Sequence, residues 1–463
     1  MIKMNKIYSL SLACLAVLSF SACSNEEDDL FSSSAAERLN QAKTKYSALL
    51  ASSNGGWAME YYATNDSVGS SATDYRAVGY QLCAKFSSDG SVTMGMNNRF
   101  SNDTYVSDRS LWDIITDDGP VLSFSTYNDC IHAFCDPNDL PTSIRGGGSS
   151  VTGLGAEGDY EFVITDLQDN AEQGAIKGKK RGTYVRMTRL PEGTDFQQYL
   201  AECDSFRNVV FGSSRYSEPV LDLGKSSYCI QSLSKAASPK IYPFHGDSIL
   251  CMLRRPFIVS KRDGNYYLRF KWAFEVGQDS TVQEFVYNPD KQMFTGVGDG
   301  NEIYTIHGQD PTTFFSDKVS AGSSWRYMAS DQGNSDAYSS LWTAFTSALR
   351  SMKYSINGNY FTLTKVDDKL RLNINVRTNR NQQLRLYYLF NYTVDNGNVK
   401  LTYDAPEDNL STTVLNAIPT LKNMLDAVSD TYSVTGASSV FDLTTLRLTS
   451  TSSSEKVMNL HLL

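Results

Sequence analysis

The feature that most constrains the fold is a series of two-residue turn sequences, each placed between runs of alternating apolar and polar residues. Asn396-Gly397 separates residues 384–394 from residues 399–403, and Asn-Gly favours the left-handed backbone of a tight β-turn. Asp89-Gly90 and Asp263-Gly264 stand in the same setting. Strands joined by so short a turn are antiparallel. The sequence therefore predicts antiparallel hairpins in its early, middle and late parts.

Three amphipathic helices are predicted from apolar residues at helical spacing. The first begins at the capping box Ser34-Ala35-Ala36-Glu37 and runs to about residue 51. The second covers residues 341–352, and the third covers residues 415–428, where Pro419 kinks it or delays its start. Along the chain, a predicted helix is followed by predicted hairpins twice. This pattern predicts a β-dominated α+β fold, with antiparallel sheets and a few amphipathic helices packed on them.

The length of the chain is sufficient for two or three domains, each with its own core. Pro191-Glu192-Gly193 and the polar residues 316–336 are the candidate boundaries. The predicted division is residues 1–22 as signal peptide, 23–33 as acidic tether, 34–190 as an N-terminal helix with a β-rich domain, 194–330 as a β-rich middle region and 336–463 as a C-terminal α+β region. Alternatively, residues 194–330 and 336–463 form a single domain.

The N-terminal residues predict export and a lipid anchor. Lys3 and Lys6 precede an apolar run over residues 7–20, which is shorter than the about 20 residues of a membrane-spanning helix. Two small residues then precede Cys23, as in a bacterial lipobox, where the cysteine receives diacylglycerol and acyl chains such as palmitate. Ordinary secretion is the alternative. The acidic residues 26–29 suit a solvated tether, and they resemble the surface-export signal of Bacteroidetes lipoproteins.

The composition argues against a nucleic-acid partner, but it does not decide which cysteines form disulfides. The net charge of −9 gives no basic footprint for nucleic acid, so no nucleic-acid partner is predicted. Outside the cytoplasm, one or two disulfides are expected, although their pairing is not readable. The cysteines beyond Cys14 and Cys23 are Cys83, Cys130, Cys135, Cys203, Cys229 and Cys251.

Two short motifs suggest cofactor or metal chemistry but stand in the wrong context. Residues 153–158 fit G-x-G-x-x-G, yet they follow a glycine-rich loop and lead into a strand, whereas a dinucleotide site opens a helix. Cys130, His132 and Cys135 lack the second ligand pair of a structural zinc site; a local disulfide and ordinary packing are the alternatives. The motifs H-E-x-x-H and G-x-S-x-G do not occur. We therefore predict no cofactor, no metal and no catalytic residue.

Aromatic residues supply the candidate ligand-binding positions. Tyr127 and Asn128 stand beside a predicted turn and are expected to be exposed, and Trp57 begins a predicted strand. Flat aromatic faces are surfaces on which sugar rings stack, although most aromatic residues in strands belong to a core. The basic residues 178–182 form a turn that is either a solubilising surface or a docking point for an acidic ligand.

Several phrases between about residue 30 and residue 300 are characteristic of one family. They are Glu37-Arg38-Leu39, Gly56-Trp57-Ala58-Met59-Glu60-Tyr61-Tyr62, Gly119-Pro120-Val121-Leu122-Ser123-Phe124-Ser125-Thr126-Tyr127-Asn128, Gly158-Asp159-Tyr160-Glu161-Phe162 and Gly178-Lys179-Lys180-Arg181-Gly182. Together they resemble Bacteroidetes lipoproteins of the family known as domain of unknown function 4302. That family carries no established catalytic residues. The resemblance implies a surface lipoprotein that accompanies a TonB-dependent transporter and its partner lipoprotein.

These observations lead to one preferred function and two alternatives. We predict an outer-membrane lipoprotein, lipidated at Cys23, exposed on the cell surface and held to the membrane only through its lipid anchor. It would capture a nutrient, either a glycan or a peptide, without catalysis. The first alternative is a structural subunit of an envelope complex. The second is a hydrolase whose two carboxylates come from distant parts of the chain.

Overall fold

Three β-sheets form the larger part of the secondary structure in the described residues. The computed structural model describes residues 33–63, 79–117, 119–136, 156–211, 219–233, 236–243 and 253–463. Within these ranges lie a closed eight-stranded barrel and two nine-stranded sheets, which we call the middle sheet and the third sheet. Their strand pairs are antiparallel. The prediction of a β-dominated α+β fold is confirmed.

The barrel is formed by consecutive strands, and the first strand pairs with the last to close it. Its strands are β1 (Trp57–Tyr62), β2 (Gly79–Phe86), β3 (Ser91–Asn98), β4 (Thr104–Thr116), β5 (Pro120–Phe124), β6 (Glu161–Asp166), β7 (Gln173–Gly178) and β8 (Tyr184–Arg189). Along β1 the side chains alternate between the two faces. Trp57, Met59 and Tyr61 pack in the main buried cluster, whereas Ala58 packs in a separate cluster outside the wall. The interior is filled by side chains, as in other eight-stranded barrels.

Each end of the barrel is covered by a helical segment. Helix α1 (Ala35–Ala51) begins at Ser34, whose Oγ accepts the Glu37 N–H at 3.2 Å, as the capping box predicts. It lies at the end where β1 starts, and the Trp57 Nε1–H donates to the Leu50 carbonyl at 3.0 Å. At the opposite end, a 3₁₀ helix (His132–Phe134) inserts the buried Phe134.

The Phe134 ring closes that end by packing against three other aromatic rings. The ring centroids lie 4.9 Å from Tyr61, 5.0 Å from Tyr80 and 4.3 Å from Phe100. Tyr61 and Tyr80 face each other across the pairing of β1 with β2. This aromatic plug holds the 3₁₀ helix at a set position on the rim of the barrel.

The middle sheet contacts the outer wall of the barrel. Its strand order is β12-β11-β10-β9-β17-β16-β15-β14-β13. The strands are β9 (Val220–Asp222), β10 (Ser227–Leu233), β11 (Ala236–Pro243), β12 (Leu253–Arg254), β13 (Phe257–Arg262), β14 (Asn265–Gly277), β15 (Ser280–Asn288), β16 (Met293–Gly296) and β17 (Thr305–His307). Helix α2 (Phe196–Phe211), which the sequence analysis did not predict, packs Tyr199, Leu200 and Cys203 against Ala58 and Cys83 on the same wall.

The third sheet has a hydrophobic cluster of its own. Its strands are β18 (Ser324–Met328), β19 (Tyr354–Ile356), β20 (Tyr360–Val366), β21 (Lys369–Thr378), β22 (Gln383–Asp395), β23 (Asn398–Pro406), β24 (Thr431–Gly436), β25 (Thr445–Ser450) and β26 (Val457–Leu462). Their order is β19-β21-β20-β18-β26-β25-β24-β23-β22, and β22 also pairs with β21. The predicted Asn396-Gly397 hairpin is confirmed, with φ of 49° and 74° at its two residues.

Four helices accompany the third sheet. They are α3 (Pro311–Ser320), α4 (Asp336–Leu349), α5 (Asn409–Ala417) and α6 (Pro419–Val428). The single helix predicted around Pro419 is in fact two helices. Ile418 adopts an extended conformation, with φ of −127° and ψ of 91°, because the ring of a following proline disfavours helical backbone.

Several predictions fall outside the described residues. These are the signal peptide, Cys23 and its lipid, the acidic tether and nearly all of the glycine-rich loop 141–156. The domain boundaries remain predictions, although residues 316–336 contain the end of α3, all of β18 and the start of α4. No helix in the described ranges combines the length and apolar character needed to cross a bilayer.

Candidate functional site

Three rings form a stacked column on the rim of the barrel, which we call the aromatic platform: Tyr127, His132 and Tyr160. The His132 ring centroid lies 5.0 Å from Tyr127 and 4.9 Å from Tyr160, with interplanar angles of 30° and 25°. Tyr127 is 57% exposed and Tyr160 is 44% exposed. Both tyrosines therefore keep a substantial part of their surface exposed.

The backbone around Asn128 positions the imidazole. The Asn128 N–H donates to His132 Nδ1 at 3.1 Å, and the His132 N–H donates to the Asn128 carbonyl at 3.0 Å. The Asn128 side chain is itself buried: its Nδ2 donates to Ser110 Oγ at 3.1 Å, and its Oδ1 accepts the Cys130 N–H at 3.0 Å. Phe134 lies in the plug two residues further along. His132 is therefore held from both sides in one orientation.

Tyr160 is positioned by the two residues that precede it. The Gly158 N–H donates to the Phe134 carbonyl at 2.9 Å, and the Asp159 N–H donates to the Tyr61 hydroxyl at 2.9 Å. A Cβ on Gly158 would lie 2.4 Å from that hydroxyl oxygen, so only glycine allows this approach. The plug thus fixes both His132 and Tyr160.

The buried Asp159 carboxylate organises the basic turn at residues 178–182. It accepts the backbone N–H of Lys180 at 3.0 Å, the N–H of Arg181 at 3.0 Å and the Thr183 hydroxyl at 3.1 Å. Two of the three cations in the turn form ion pairs. Lys179 pairs with Asp117 and Glu161, and Arg181 pairs with Glu157. Asp159 therefore has a turn-stabilising role.

The imidazole of the platform is neutral. Burial lowers the pKa of His132 from its ordinary value, because the charged form loses its hydration. Since Nδ1 accepts a backbone hydrogen bond, we assign the proton to Nε2. The platform therefore offers uncharged aromatic surface at neutral pH.

The three ligand-binding residues predicted from sequence do not lie together. Tyr127 belongs to the platform, and Asn128 supports it from a buried position, so the predicted exposure of Asn128 is wrong. Trp57 is buried at the other end of the barrel, with the Arg189 guanidinium 4.7 Å from its ring centroid. His132 and Tyr160, which the structure brings together with Tyr127, were not among the candidate positions of the sequence analysis. Tyr127, His132 and Tyr160 do not recur at a regular spacing in the sequence, so no periodic pattern predicts that their rings stack.

The two cysteines near the platform, Cys130 and Cys135, are free thiols. Cys130 Sγ lies 3.7 Å from the Val106 carbonyl, and Cys135 Sγ lies 3.7 Å from the Ile131 carbonyl. Burial raises the pKa of each thiol to about 12. None of the five described cysteines is in a disulfide, contrary to the one or two expected, and Cys251 lies outside the described residues. The described chain has no group of three or more His, Cys, Asp and Glu suited to a metal.

A second polar site, which we call the ion cluster, lies between the barrel and the middle sheet. Glu284 lies between Arg186, at 3.6 Å, and Arg262, at 3.0 Å. Glu60 lies 3.6 Å from Arg269. Burial raises the pKa of Glu60 to about 7, and the charge of Arg269 opposes this rise.

A cleft of about 590 Å³ opens beside the ion cluster. Arg186, Arg262 and Glu284 line it, but Glu60 is only 3% exposed and is not among the lining residues. The two buried carboxylates therefore do not flank a common open space, as the acid and nucleophile of a glycosidase would. The ion cluster gives the hydrolase alternative no support.

Solved structures of transferrin binding protein B (TbpB) show a weak likeness to this chain. Intact Ap-TbpB, with its N and C lobes, is 11% identical over 88% of this chain and 75% of that chain, with a TM-score of 0.14. TbpB from serogroup B Neisseria meningitidis is 7% identical over 88% and 74%, with a TM-score of 0.13. A double mutant from Haemophilus parasuis Hp5 is 11% identical over 88% and 74%, with a TM-score of 0.15. Scores this low do not establish a shared fold, so these structures carry no argument.

The comparison with protein-family models identifies a family for this chain. No curated protein sequence matches the chain. The model of a domain of unknown function, DUF4302, matches residues 27–289, which include the whole barrel, the aromatic platform, helix α2 and the middle sheet through β15. The match covers more than half of the chain and confirms the family resemblance drawn from the quoted phrases. The chain belongs to the DUF4302 family.

Proposed function

We propose that this protein is a non-catalytic outer-membrane lipoprotein, anchored through Cys23, that captures a nutrient glycan on its aromatic platform. It would act as an accessory of a TonB-dependent uptake system in a member of the Bacteroidetes. The lipobox and the acidic residues 26–29 support the anchor and the surface location. The single observation that carries the binding role is the exposed, stacked column of Tyr127, His132 and Tyr160.

The chemistry of the platform suits a sugar ring. A pyranose presents C–H groups on its faces, and these pack against the electron-rich face of an aromatic ring. Tyr127 and Tyr160 each have a hydroxyl at the ring edge that can bond to sugar hydroxyls. The neutral imidazole between them adds no charge that would favour an ionic ligand.

The platform is also rigid before any ligand arrives. His132 is fixed by Asn128 and by the plug, and Tyr160 is fixed through Gly158 and Asp159. A ligand that binds a preorganised surface does not have to offset the entropy of ordering it. A peptide is the less suitable ligand for the platform itself, because extended peptides commonly add to an open sheet edge, and the closed barrel that carries the platform has none.

The proposal is tested by a glycan array probed with the full-length lipidated protein in detergent micelles. We expect saturable binding to at least one glycan and no product when that glycan is incubated with the protein. Binding of peptides but not glycans would contradict the proposed ligand. Binding of neither would favour the structural subunit of an envelope complex.

A matched pair of variants locates the binding site. Tyr160→Ala removes one end of the platform, and we expect the Kd for the bound glycan to rise by about 3- to 10-fold. Tyr184→Ala removes a tyrosine of similar exposure, 48% against 44%, that lies outside the stacked column. It should leave the Kd unchanged. Equal effects of the two substitutions would show that the platform is not the site.

A further inference from the structure

The outer face of the third sheet carries a concentration of cations. Strands β18, β20, β21 and β22 lie side by side, and the pairing of β22 with β21 closes eight of the nine strands into a ring. Side chains along each strand therefore alternate between the hydrophobic cluster inside the ring and the outer face. We call the outer face of these four strands the arginine wall. Its cations are Arg326, Lys369, Arg371, Arg377 and Arg385.

The positive charge of the arginine wall is only partly balanced. Residues 369–391, which form β21, the following turn and the first part of β22, contain five Lys and Arg residues and no Asp or Glu, although the net charge of the protein is −9. Strands β18 and β20 contain no acid either. Lys369 pairs with Asp404 at 2.8 Å, and Arg371 pairs with Glu407 at 3.4 Å. In the described part of the chain, the other three cations form no ion pair: Arg326, Arg377 and Arg385.

Two of the arginines are held in place by tyrosine rings on the neighbouring strand. Arg326 Cζ lies 4.6 Å from the centroid of the Tyr360 ring. Arg371 Cζ lies 4.6 Å from the centroid of the Tyr387 ring. A guanidinium that lies over an aromatic ring keeps its charge and its donors. Because these side chains are already ordered, an anion that binds them has less entropy of ordering to offset.

Uncharged polar groups lie beside the unpaired arginines. Thr362 on β20 is directly opposite Arg326, and Asn375 on β21 is directly opposite Arg385. Both polar side chains are partly exposed, and hydroxyl and amide groups bond to the hydroxyls of a ligand. Neighbouring strands are about 4.8 Å apart, so β18 and β22 are separated by about 14 Å along the sheet. The arginine wall therefore places groups for anions and groups for hydroxyls over an extended surface.

We propose that the arginine wall binds an acidic polysaccharide, in which successive sugars carry carboxylates. The carboxylates would pair with Arg326, Arg377 and Arg385, and sugar hydroxyls would bond to Thr362 and Asn375. The planar fork of donors on a guanidinium matches the two oxygens of a carboxylate. A surface that extends over about 14 Å suits several sugar units better than one. This site is separate from the aromatic platform and does not depend on the function proposed for the platform.

Other polyanions suit the arginine wall less well. Proteins that bind single-stranded nucleic acid stack its bases on open aromatic rings, whereas guanidinium groups lie over the rings of Tyr360 and Tyr387. Extended peptides commonly add to a sheet edge, whereas the arginine wall is the face of strands that are paired on both sides. An acidic polysaccharide needs neither an open ring nor an edge.

The test uses the full-length protein in detergent and isothermal titration at low salt with four probes. They are an oligogalacturonate, its methyl ester, an oligoglutamate and a single-stranded DNA. We expect saturable binding of the oligogalacturonate that added salt weakens, and binding at least about tenfold weaker for the uncharged methyl ester. Equal affinity for the oligogalacturonate and its methyl ester would overturn the proposal. Oligoglutamate or DNA that binds as tightly as the oligogalacturonate would overturn it as well.

Paired variants assign the binding to the arginine wall. Arg377→Gln combined with Arg385→Gln should raise the Kd for the oligogalacturonate at least about tenfold. Lys225→Gln combined with Lys291→Gln removes the same charge from exposed positions beside the middle sheet and should leave the Kd unchanged. Equal effects of the two double variants would contradict the assignment.

Two single variants complete the test. Arg385→Gln changes an exposed side chain, so it decides the matter if the double variant does not fold, and we expect it to raise the Kd by about threefold. An unchanged Kd in Arg385→Gln would then contradict the assignment. Tyr160→Ala alters the aromatic platform and should leave oligogalacturonate binding unchanged. Loss of this binding in Tyr160→Ala would move the acidic ligand to the platform and overturn the proposal of a separate site.

Discussion

Gly158 shows how a single residue supports the aromatic platform. Its N–H bonds to the Phe134 carbonyl, and its Cα lies against Tyr61 and Phe134, where a Cβ would come within 2.4 Å and 2.8 Å of their atoms. In the sequence, Gly158 ends a match to G-x-G-x-x-G that we interpreted as a loop. The structure gives this glycine a packing role in place of a phosphate-binding role.

Gly158→Ala should destabilise the protein. The added methyl group would overlap the Tyr61 hydroxyl and Phe134, and overpacking of this kind costs about 1–3 kcal/mol. Chemical denaturation followed by circular dichroism measures the change in free energy of unfolding. Gly277→Ala is the control, because its Cβ would meet only Ser280, at 3.7 Å. A Gly158→Ala variant as stable as the wild type would disprove the close packing of the plug.

The sequence predicted the exposure of some residues correctly and that of others wrongly, for a physical reason. The exposure of Tyr127 was predicted correctly, because it stands beside a turn, where side chains are commonly exposed. Asn128, its neighbour, was expected to be exposed too, but its amide bonds to Ser110 and Cys130 and is buried. Burial of a polar side chain depends on partners from another strand. One sequence does not show such partners.

At the scale of elements, the 3₁₀ helix His132–Phe134 connects the barrel core to the platform. Phe134 enters the barrel among Tyr61, Tyr80 and Phe100, while His132 stays between the two exposed tyrosines. The same short element therefore determines both the closure of the barrel end and the orientation of the platform.

Phe134→Ala should damage stability and binding together. Loss of a buried phenylalanine costs about 3–5 kcal/mol, and the freed 3₁₀ helix would no longer hold His132 between Tyr127 and Tyr160. We expect weaker glycan binding even where circular dichroism shows a folded protein. Leu111→Ala, at a side chain that is 50% exposed, should change neither property. If folded Phe134→Ala binds the glycan with wild-type affinity, the plug does not determine the orientation of the platform.

Elements with strong local signals were the ones that the sequence predicted. The Asn396-Gly397 hairpin and the first helix have turn or capping residues that act within a few positions. Helix α2 was missed, although its buried residues Tyr199, Cys203 and Val210 recur at helical spacing. The closure of the barrel was missed as well, since it pairs residue 57 with residue 189, and no local pattern reports so distant a contact.

At the scale of the molecule, the buried side chains form two large clusters. One runs through the barrel and the middle sheet, and the other belongs to the third sheet and its helices. Phe441, from the segment between β24 and β25, packs in the first cluster, with its ring 6.0 Å from Phe294. This segment therefore joins the third sheet to the rest of the chain.

Phe441→Ala should uncouple the two clusters. The truncation removes a buried contact worth about 3 kcal/mol or more, and we expect calorimetry to show two transitions further apart than in the wild type. Val297→Ala, at a partly exposed side chain outside this contact, serves as the control. Identical heat-capacity profiles for Phe441→Ala and the wild type would show that the segment does not couple them.

The most direct test of the central claim is a crystal structure of the protein with the glycan that the array identifies. The account predicts a sugar ring packed within about 4 Å of the exposed face of Tyr127 or Tyr160. His132 should remain between them in its present orientation. A glycan bound elsewhere, with both tyrosine faces open to solvent, would contradict the assignment of the aromatic platform as the capture site.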